Sequence, residues 1–207
     1  MTNWQSTFQE RGAVWIHDGK PSRPHALLTS GLHSNGFVNC TKITQTPSLL
    51  SRILADASGL QPKLPAQNEK VDWVIGSAAG AVTFAYAVAA ALNVNAGFTE
   101  KDGDDMKLSR FEVAPHERVL VVEDTISTGG STVKTINGIK KAGVDDARIL
   151  PYIICLVNRS GLTTLEGREI RSLITPEIHI WKPDECPLCR AGSQAVRPKS
   201  HWQELTR

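Results

Sequence analysis

No apolar run in this chain is long enough to cross a bilayer. The longest, "AVTFAYAVAAAL" at 81–92, falls well short of the roughly 20 residues a spanning helix needs. The polar opening "MTNWQSTFQERG" has no signal-peptide core, so a cytoplasmic protein without membrane contact is expected. Charge of one sign is equally scarce: 23 Lys and Arg face 21 Asp and Glu, for a net charge of +2. No basic run exists to grip a polyanion, which argues against nucleic acid as a partner. Cysteine is sparse too. Four residues with one close pair, Cys186 and Cys189, are too few for a disulfide framework in 207 residues. Neither G-x-x-x-x-G-K-[ST] nor G-x-G-x-x-G occurs, so nucleoside triphosphates and dinucleotides lose their usual support. No internal repeat or low-complexity segment is found.

What is there alternates between strand and helix. "VDWVIGSA" (71–78) is an apolar run ending in small residues, and the Ala-rich stretch after it is apolar almost all round, as a helix buried against a sheet would be. "VNAGF" (94–98), "RVLVVED" (118–124), "ARILPYIICLVN" (147–158) and "IRSLIT" (170–175) read as further strands, and "STVKTINGIKKAG" (131–143) as a helix closed by glycine. Continuous rather than alternating apolar strands indicate a parallel sheet covered on both faces. The expected fold is α/β, a doubly wound parallel sheet with right-handed crossovers. Hydrophobic content of 41% supports one substantial core. Three segments are expected to share one compact domain: 1–70, ending in the polar connection "QPKLPAQNEK" (61–70), a core over 71–175, and a tail over 176–207.

The stretch "VLVVEDTISTGGST" (119–132) carries the chemistry. It ends a central strand and enters a helix, where backbone N–H groups and the helix dipole converge on a negative ligand. Gly129 and Gly130 let the backbone turn tightly and come close, and Ser127, Thr128, Ser131 and Thr132 offer hydroxyl donors. The loop suits a phosphate. Gly-Gly-Ser-Thr alone would describe any polar strand-to-helix turn with a serine cap, but Glu123 and Asp124 precede it. These carboxylates suit a neighbouring diol rather than the phosphate itself, so ribose 5-phosphate meets both demands.

This stretch resembles the phosphoribosyl-diphosphate (PRPP) signature of the type I phosphoribosyltransferases. Further segments resemble orotate phosphoribosyltransferases. "LLTSGLHSNGFVN" (27–39) is similar to the segment that forms their hood over the base, "IGSAAGAV" (75–82) stands where they have a pyrophosphate loop, and "CLVNRSG" (155–161) is similar to a strand end whose arginine contacts the pyrimidine. The resemblance implies transfer of ribose 5-phosphate from PRPP to a base, with orotate becoming orotidine 5′-monophosphate. It also implies Mg²⁺ held mainly through PRPP and water, and a homodimer whose mobile loop reaches the partner's site. PRPP would meet Ala79, Gly80, Glu123, Asp124, Thr125, Ser127, Thr128, Gly129, Gly130 and Ser131. The base would meet Thr29, Gly36, Phe37 and Arg159, whose guanidinium fork suits carbonyl and carboxylate oxygens. Lys101, Lys107 and Asp124 are the expected catalytic residues.

The chain departs from that pattern in its lid. The family carries a loop of R-K-x-x-K-x-H-G type, and "TEKDGDDMKLSRFEV" (99–113) aligns with it only at Lys101. Glu100 and Asp104 fall near cationic positions, Thr29 replaces the hood lysine, and Gly80 stands where lysine is frequent. Lys42, Lys107 and Arg110 are the cations left to compensate. A phosphoribosyltransferase for another base and a non-catalytic PRPP or nucleotide sensor therefore stay open beside the orotate enzyme. In the tail, "CPLC" has the spacing of half a zinc site, flanked by His179 and His201. Without a second close pair the leading expectation is a small knuckle packed on the core, ahead of zinc at Cys186 and Cys189 or a redox pair. Cys40 and Cys155, in apolar surroundings, are expected to be inert core thiols.

Overall fold

A computed structural model describes residues 2–28, 30–198 and 200–206. Helix α1 (Trp4–Glu10) buries Trp4 and Phe8, one turn apart on one face. Four short strands follow: β1 (Val14–Ile16), β2 (His25–Leu27), β3 (His33–Ser34) and β4 (Gly36–Val38). Helix α2 (Thr41–Thr44) leads into α3 (Pro47–Ala55). Pro47 opens α3 where a missing N–H costs nothing, and Leu49, Leu50, Ile53 and Leu54 line its buried face.

The central part runs β5 (Trp73–Ser77), α4 (Val82–Leu92), β6 (Asn95–Asp102), β7 (Asp105–Lys107), β8 (Val119–Ile126), α5 (Gly130–Lys141), β9 (Ile149–Asn158), β10 (Thr164–Leu165) and β11 (Arg168–Ile174). These strands form one sheet in the order β10-β11-β9-β8-β5-β6-β7. The five inner strands are parallel, and the two edge strands antiparallel. This is the expected α/β sheet. Crossovers from β5 to β6 and from β8 to β9 run in opposite directions, and their common right-handedness puts α4 and α5 on opposite faces. The strand order reverses between β5 and β8, the switch point at which open α/β sheets bind ligands. Val119 to Val122 are buried because both faces are covered. Gly143, at φ +91°, closes α5.

The tail carries β12 (Ile180–Trp181), α6 (Pro187–Arg190), β13 (Ala195–Val196) and α7 (Trp202–Thr206). The chain forms two compact units: Met1–Trp4 with Cys40–Thr175, and Gln5–Asn39 with Pro176–Arg207. Residues 40–70 thus go with the large sheet, and the tail goes with the first short strands. Within the smaller unit, β2 and β3 form a hairpin, β12 pairs with the free edge of β3, and β13 with the free edge of β2. Strands β1 and β4 pair separately.

Two local outcomes differ from the sequence reading. Helix α4 is apolar almost all round, yet only the face bearing Phe84, Ala85, Val88 and Ala89 is buried, and Tyr86 is 70% exposed. Residues 99–113, which sequence aligns with a mobile lid, are not an irregular loop. They extend β6 into a hairpin with β7 around Gly103, and the returning chain is anchored by Met106, Leu108 and Phe111. Phe111 packs edge-on against Trp73 and Phe98.

Candidate active site

The opening at the switch point is built from the carboxyl ends of β5 and β8. Adjacent residues on a strand face opposite sides of the sheet, so Glu123 and Asp124 part company. Glu123 turns to the α5 side one step beyond the Gly76–Val122 pair of the ladder: the Ser77 hydroxyl lies 2.8 Å from each carboxylate oxygen, and Thr132 Oγ1 lies 3.5 Å from Oε2. Burial, with the Asp124 charge beside it, raises Glu123 to about 8. Burial thus favours its protonated form.

Asp124 is half-buried and projects beside the turn that joins β5 to α4. Its Oδ1 accepts the Thr125 N–H at 2.8 Å. A Cβ added to Gly80 would lie 2.9 Å from that oxygen, so this position cannot carry a lysine unless the carboxylate moves. Ala79 and Gly80 are exposed, leaving their backbone open to a ligand, and the Ala78–Ala79 peptide is cis. Cys40 underlies this corner, its thiol 3.4 Å from the Asp124 carbonyl and 3.1 Å from Thr125 Oγ1. Burial pushes both Cys40 and Cys155 well above the usual thiol range, so both are protonated core thiols.

After Ile126 the chain turns through Ser127, Thr128 and Gly129 into α5. Gly129 adopts φ +81°, and a Cβ there would fall 2.7 Å from Leu165 Cδ1. The positive φ favours glycine, and any larger residue would also have to displace the end of the Leu165 side chain. Gly130 is different: a Cβ would meet nothing closer than Thr128 Oγ1 at 3.6 Å. No side chain caps α5. The first intrahelical bond is Val133 N–H to the Gly129 carbonyl at 2.9 Å, which leaves the N–H groups of Ser131 and Thr132 without an intrahelical acceptor, while the Gly130 N–H donates only a long bond to Thr128 Oγ1 at 3.5 Å. This uncapped twelve-residue helix is a ready anion site.

Arg159 is tied to the same loop. Its backbone N–H donates to the Ile126 carbonyl at 2.9 Å. Its guanidinium Nε and Nη1 are buried with no hydrogen-bond partner among the described residues. Arg148 and Arg168 also bury an unpartnered Nε, but their Nη groups donate to carbonyl or carboxylate oxygens. Burial lowers the Arg159 pKa, as expected for a cation lacking its counterpart.

The expected lid residues lie elsewhere in this chain. Asp105 pairs with Lys141 at 2.8 Å, and Gly138 packs against the Met106 carbonyl. The β6–β7 hairpin therefore lies along the far part of α5, roughly 12–16 Å of helix from Gly130 at 1.5 Å per residue. Lys101 and Lys107 sit on that hairpin, exposed and without an ion pair among the described residues. Arg110 is held by Glu100 at 2.8 Å. Lys42 is exposed on α2. In the smaller unit, Gly36 and Phe37 form β4, where a Cβ on Gly36 would lie 2.8 Å from Ile178 Cγ1; Thr29 lies outside the described residues. His179 is exposed beside Glu177 at 3.2 Å, and His201 beside Ser200 at 3.0 Å. Ser77 carried no signal in sequence, because its role depends on strand register.

The chain matches the phosphoribosyl transferase domain over residues 49–188. An orotate phosphoribosyltransferase of Caldicellulosiruptor bescii is 38% identical over 177 residues, covering 85% of this chain and 88% of that protein. One of Acidithiobacillus ferrooxidans is 34% identical over 196 residues, covering 94% and 97%. The crystal structure of orotate phosphoribosyltransferase from Aeropyrum pernix shares the fold, with a TM-score of 0.60, 24% identity, and coverage of 82% of this chain and 92% of that one.

Proposed function

This chain belongs to the phosphoribosyl transferase family, and we propose from that premise that it joins PRPP to orotate, releasing pyrophosphate and forming orotidine 5′-monophosphate. The observation that carries the choice of base is Arg159, a half-buried residue whose guanidinium Nε and Nη1 are themselves buried and lack acceptors. A buried unpaired cation is costly, and an acidic, carbonyl-rich ring would supply the missing oxygens bidentately. Relatives named for orotate support this reading.

The 5′-phosphate of PRPP is held by the uncapped start of α5 and the hydroxyls of Ser127, Thr128 and Ser131, with Thr125 at the loop's root. Asp124 accepts the ribose hydroxyls. Glu123, turned toward Ser77, orients Asp124's strand rather than touching sugar. As the C1′–O bond to pyrophosphate breaks, C1′ gains positive charge, which the Asp124 carboxylate stabilises, and a ring nitrogen of the base forms the new bond. The exposed backbone at Ala79 and Gly80 borders the leaving pyrophosphate.

Mg²⁺ favours oxygen ligands and keeps several waters, and an opening bordered by the Asp124 carboxylate and peptide oxygens fits it. When bound with PRPP it offsets diphosphate charge. Lys101 and Lys107, remote from the loop of their own chain, serve the site of a second subunit in a homodimer. No helix among the described residues is long and apolar enough to cross a membrane, and the reading makes this a cytoplasmic enzyme.

A steady-state assay with PRPP, Mg²⁺ and a panel of bases tests the reading. Turnover with orotate well above that with uracil, adenine or hypoxanthine is expected. Preference for another base would reassign the substrate, and PRPP binding without turnover on any base would make the protein a sensor.

A further inference from the structure

The smaller unit holds a second cluster of chemistry-bearing side chains. His25 on β2, His33 on β3, and Cys186 and Cys189 around the start of α6 each offer one ligand atom, and the four atoms lie within 4.8 Å of one another. His25 Nε2 is 3.0 Å from His33 Nδ1, 3.6 Å from Cys186 Sγ and 3.5 Å from Cys189 Sγ, and Cys189 Sγ is 3.2 Å from His33 Nδ1. Zinc bonds of about 2.0–2.1 Å to nitrogen and about 2.3 Å to sulfur, arranged tetrahedrally, set ligand atoms roughly 3.3–3.8 Å apart. Two of the four separations, 3.5 and 3.6 Å, fall within that span, and the other two, 3.0 and 3.2 Å, lie a few tenths of an ångström below it. We propose that these four residues bind a structural Zn²⁺ that staples the C-terminal tail to the β2–β3 hairpin.

Outer contacts prepare the ligands. His25 Nδ1 lies 2.8 Å from Ser193 Oγ, while the Ser193 hydroxyl donates to the Arg23 carbonyl at 2.6 Å. Having given its one proton away, that hydroxyl can only accept from the imidazole. Nδ1 of His25 therefore carries the ring proton, and the Nε2 lone pair faces the cluster, which is the tautomer a metal requires. Two soft thiolates and two imidazoles select zinc over magnesium or calcium. Four protein ligands leave no open position, so the site is structural.

The topology explains why the cluster forms. His25 and His33 lie on neighbouring antiparallel strands, with Leu27 in register with His33. Strands β12 and β13 flank the C-x-x-C and bind opposite edges of that hairpin, which brings the pair to the histidines. The unit is small, with strands of two or three residues. Metal binding is a usual means of holding such a fold. A Cys186–Cys189 disulfide would leave two imidazoles facing each other in the interior and make no use of Ser193. Three of the four ligands fall outside residues 49–188, so the site is an addition to the catalytic domain. Its ion would also fix the hood segment, since His33 precedes Gly36 and Phe37.

Elemental analysis of the full chain, purified without added metal under reducing conditions, should find about one zinc per chain. Chelator competition on Ser193→Ala should show zinc affinity reduced by about 10–100-fold with stoichiometry intact. Because variants of buried His25 or Cys186 can misfold, the wild-type protein provides an independent test. Replacement of its zinc by Co²⁺ should produce the intense visible bands of a tetrahedral ion and a thiolate-to-cobalt charge-transfer band, and alkylation of partly exposed Cys189 should be blocked until a chelator is added. A metal-free isolate that binds neither Zn²⁺ nor Co²⁺ after reduction would overturn the proposal. So would zinc retained undiminished in a folded Cys186→Ser/Cys189→Ser double variant.

Discussion

The Ser77 hydroxyl lies 2.8 Å from both carboxylate oxygens of Glu123, so the first acid of the pair faces the interior of the sheet. The second, Asp124, is left facing the opening. Two adjacent carboxylates thus have different environments.

Stability should report the protonation of Glu123. Unfolded, this residue ionises near 4.5; folded, near 8. Between those values the native state keeps a proton that the unfolded chain has released, so stability falls as pH rises through the window. The contribution is fully present below 4.5 and lost above about 8. Denaturant melts of the ligand-free protein should show a shallower pH slope for Glu123→Gln, and greater stability than wild type at the alkaline end. Parallel slopes would mean that Glu123 does not titrate in this range.

Asp124→Asn should weaken PRPP binding by about 10–100-fold, the loss expected for charge-assisted hydrogen bonds worth about 1.5–3 kcal/mol. Affinity for inorganic phosphate, which has no diol, should change little. Calorimetry with both ligands decides this, and equal losses would assign Asp124 to the general field of the site.

The two loop glycines should respond differently. Gly129→Ala forces an L side chain into the left-handed region, costing about 1–2 kcal/mol, and drives its methyl into Leu165. Phosphate and PRPP affinity should fall at least tenfold or so, whereas Gly130→Ala should stay near wild type. Titration of both variants, with thermal melts as a fold control, tests the assignment, and a Gly129→Ala protein with normal affinity would refute it.

Removal of the unpartnered guanidinium should separate stability from function. Arg159→Met relieves a buried unpaired charge, so the melting temperature should hold or rise. KM for orotate should increase by about tenfold or more, with PRPP affinity little altered. A less stable variant with unchanged KM would make Arg159 a structural residue.

The hairpin bearing Lys101 packs along the far part of α5, and on the proposed reading its lysines serve a second subunit. Mixing inactive Asp124→Asn with inactive Lys101→Ala should restore part of the activity, because a mixed dimer can assemble one site with both residues intact. The same mixture made with Lys107→Ala tests the second lysine. Absence of complementation, with subunit exchange verified by mass spectrometry, would exclude sharing between subunits.

Sequence by itself determined the sheet and the phosphate loop. The uninterrupted apolar runs at β5, β8 and β9 are satisfied by a parallel sheet covered on both faces, and Gly-Gly-Ser-Thr after an acidic pair marks the strand-to-helix turn at which α5 begins. These are local signals, carried by consecutive residues. Tertiary structure decided everything that depends on which residues become neighbours. Strand packing put Glu123 against Ser77 and Asp124 beside Gly80, and Leu165 crowds Gly129 while leaving Gly130 free. Met106, Leu108 and Phe111 turned an apparent loop into an anchored hairpin. His25 and His33 follow no close metal-binding spacing, and sequence proximity pointed instead to His179 and His201. Only the pairing of β12 and β13 with the edges of the hairpin brings Cys186 and Cys189 to that pair of histidines. Short-range chemistry is written along the chain, whereas a four-ligand cluster or a buried carboxylate is set by contacts between segments more than a hundred residues apart in one case and about fifty in the other.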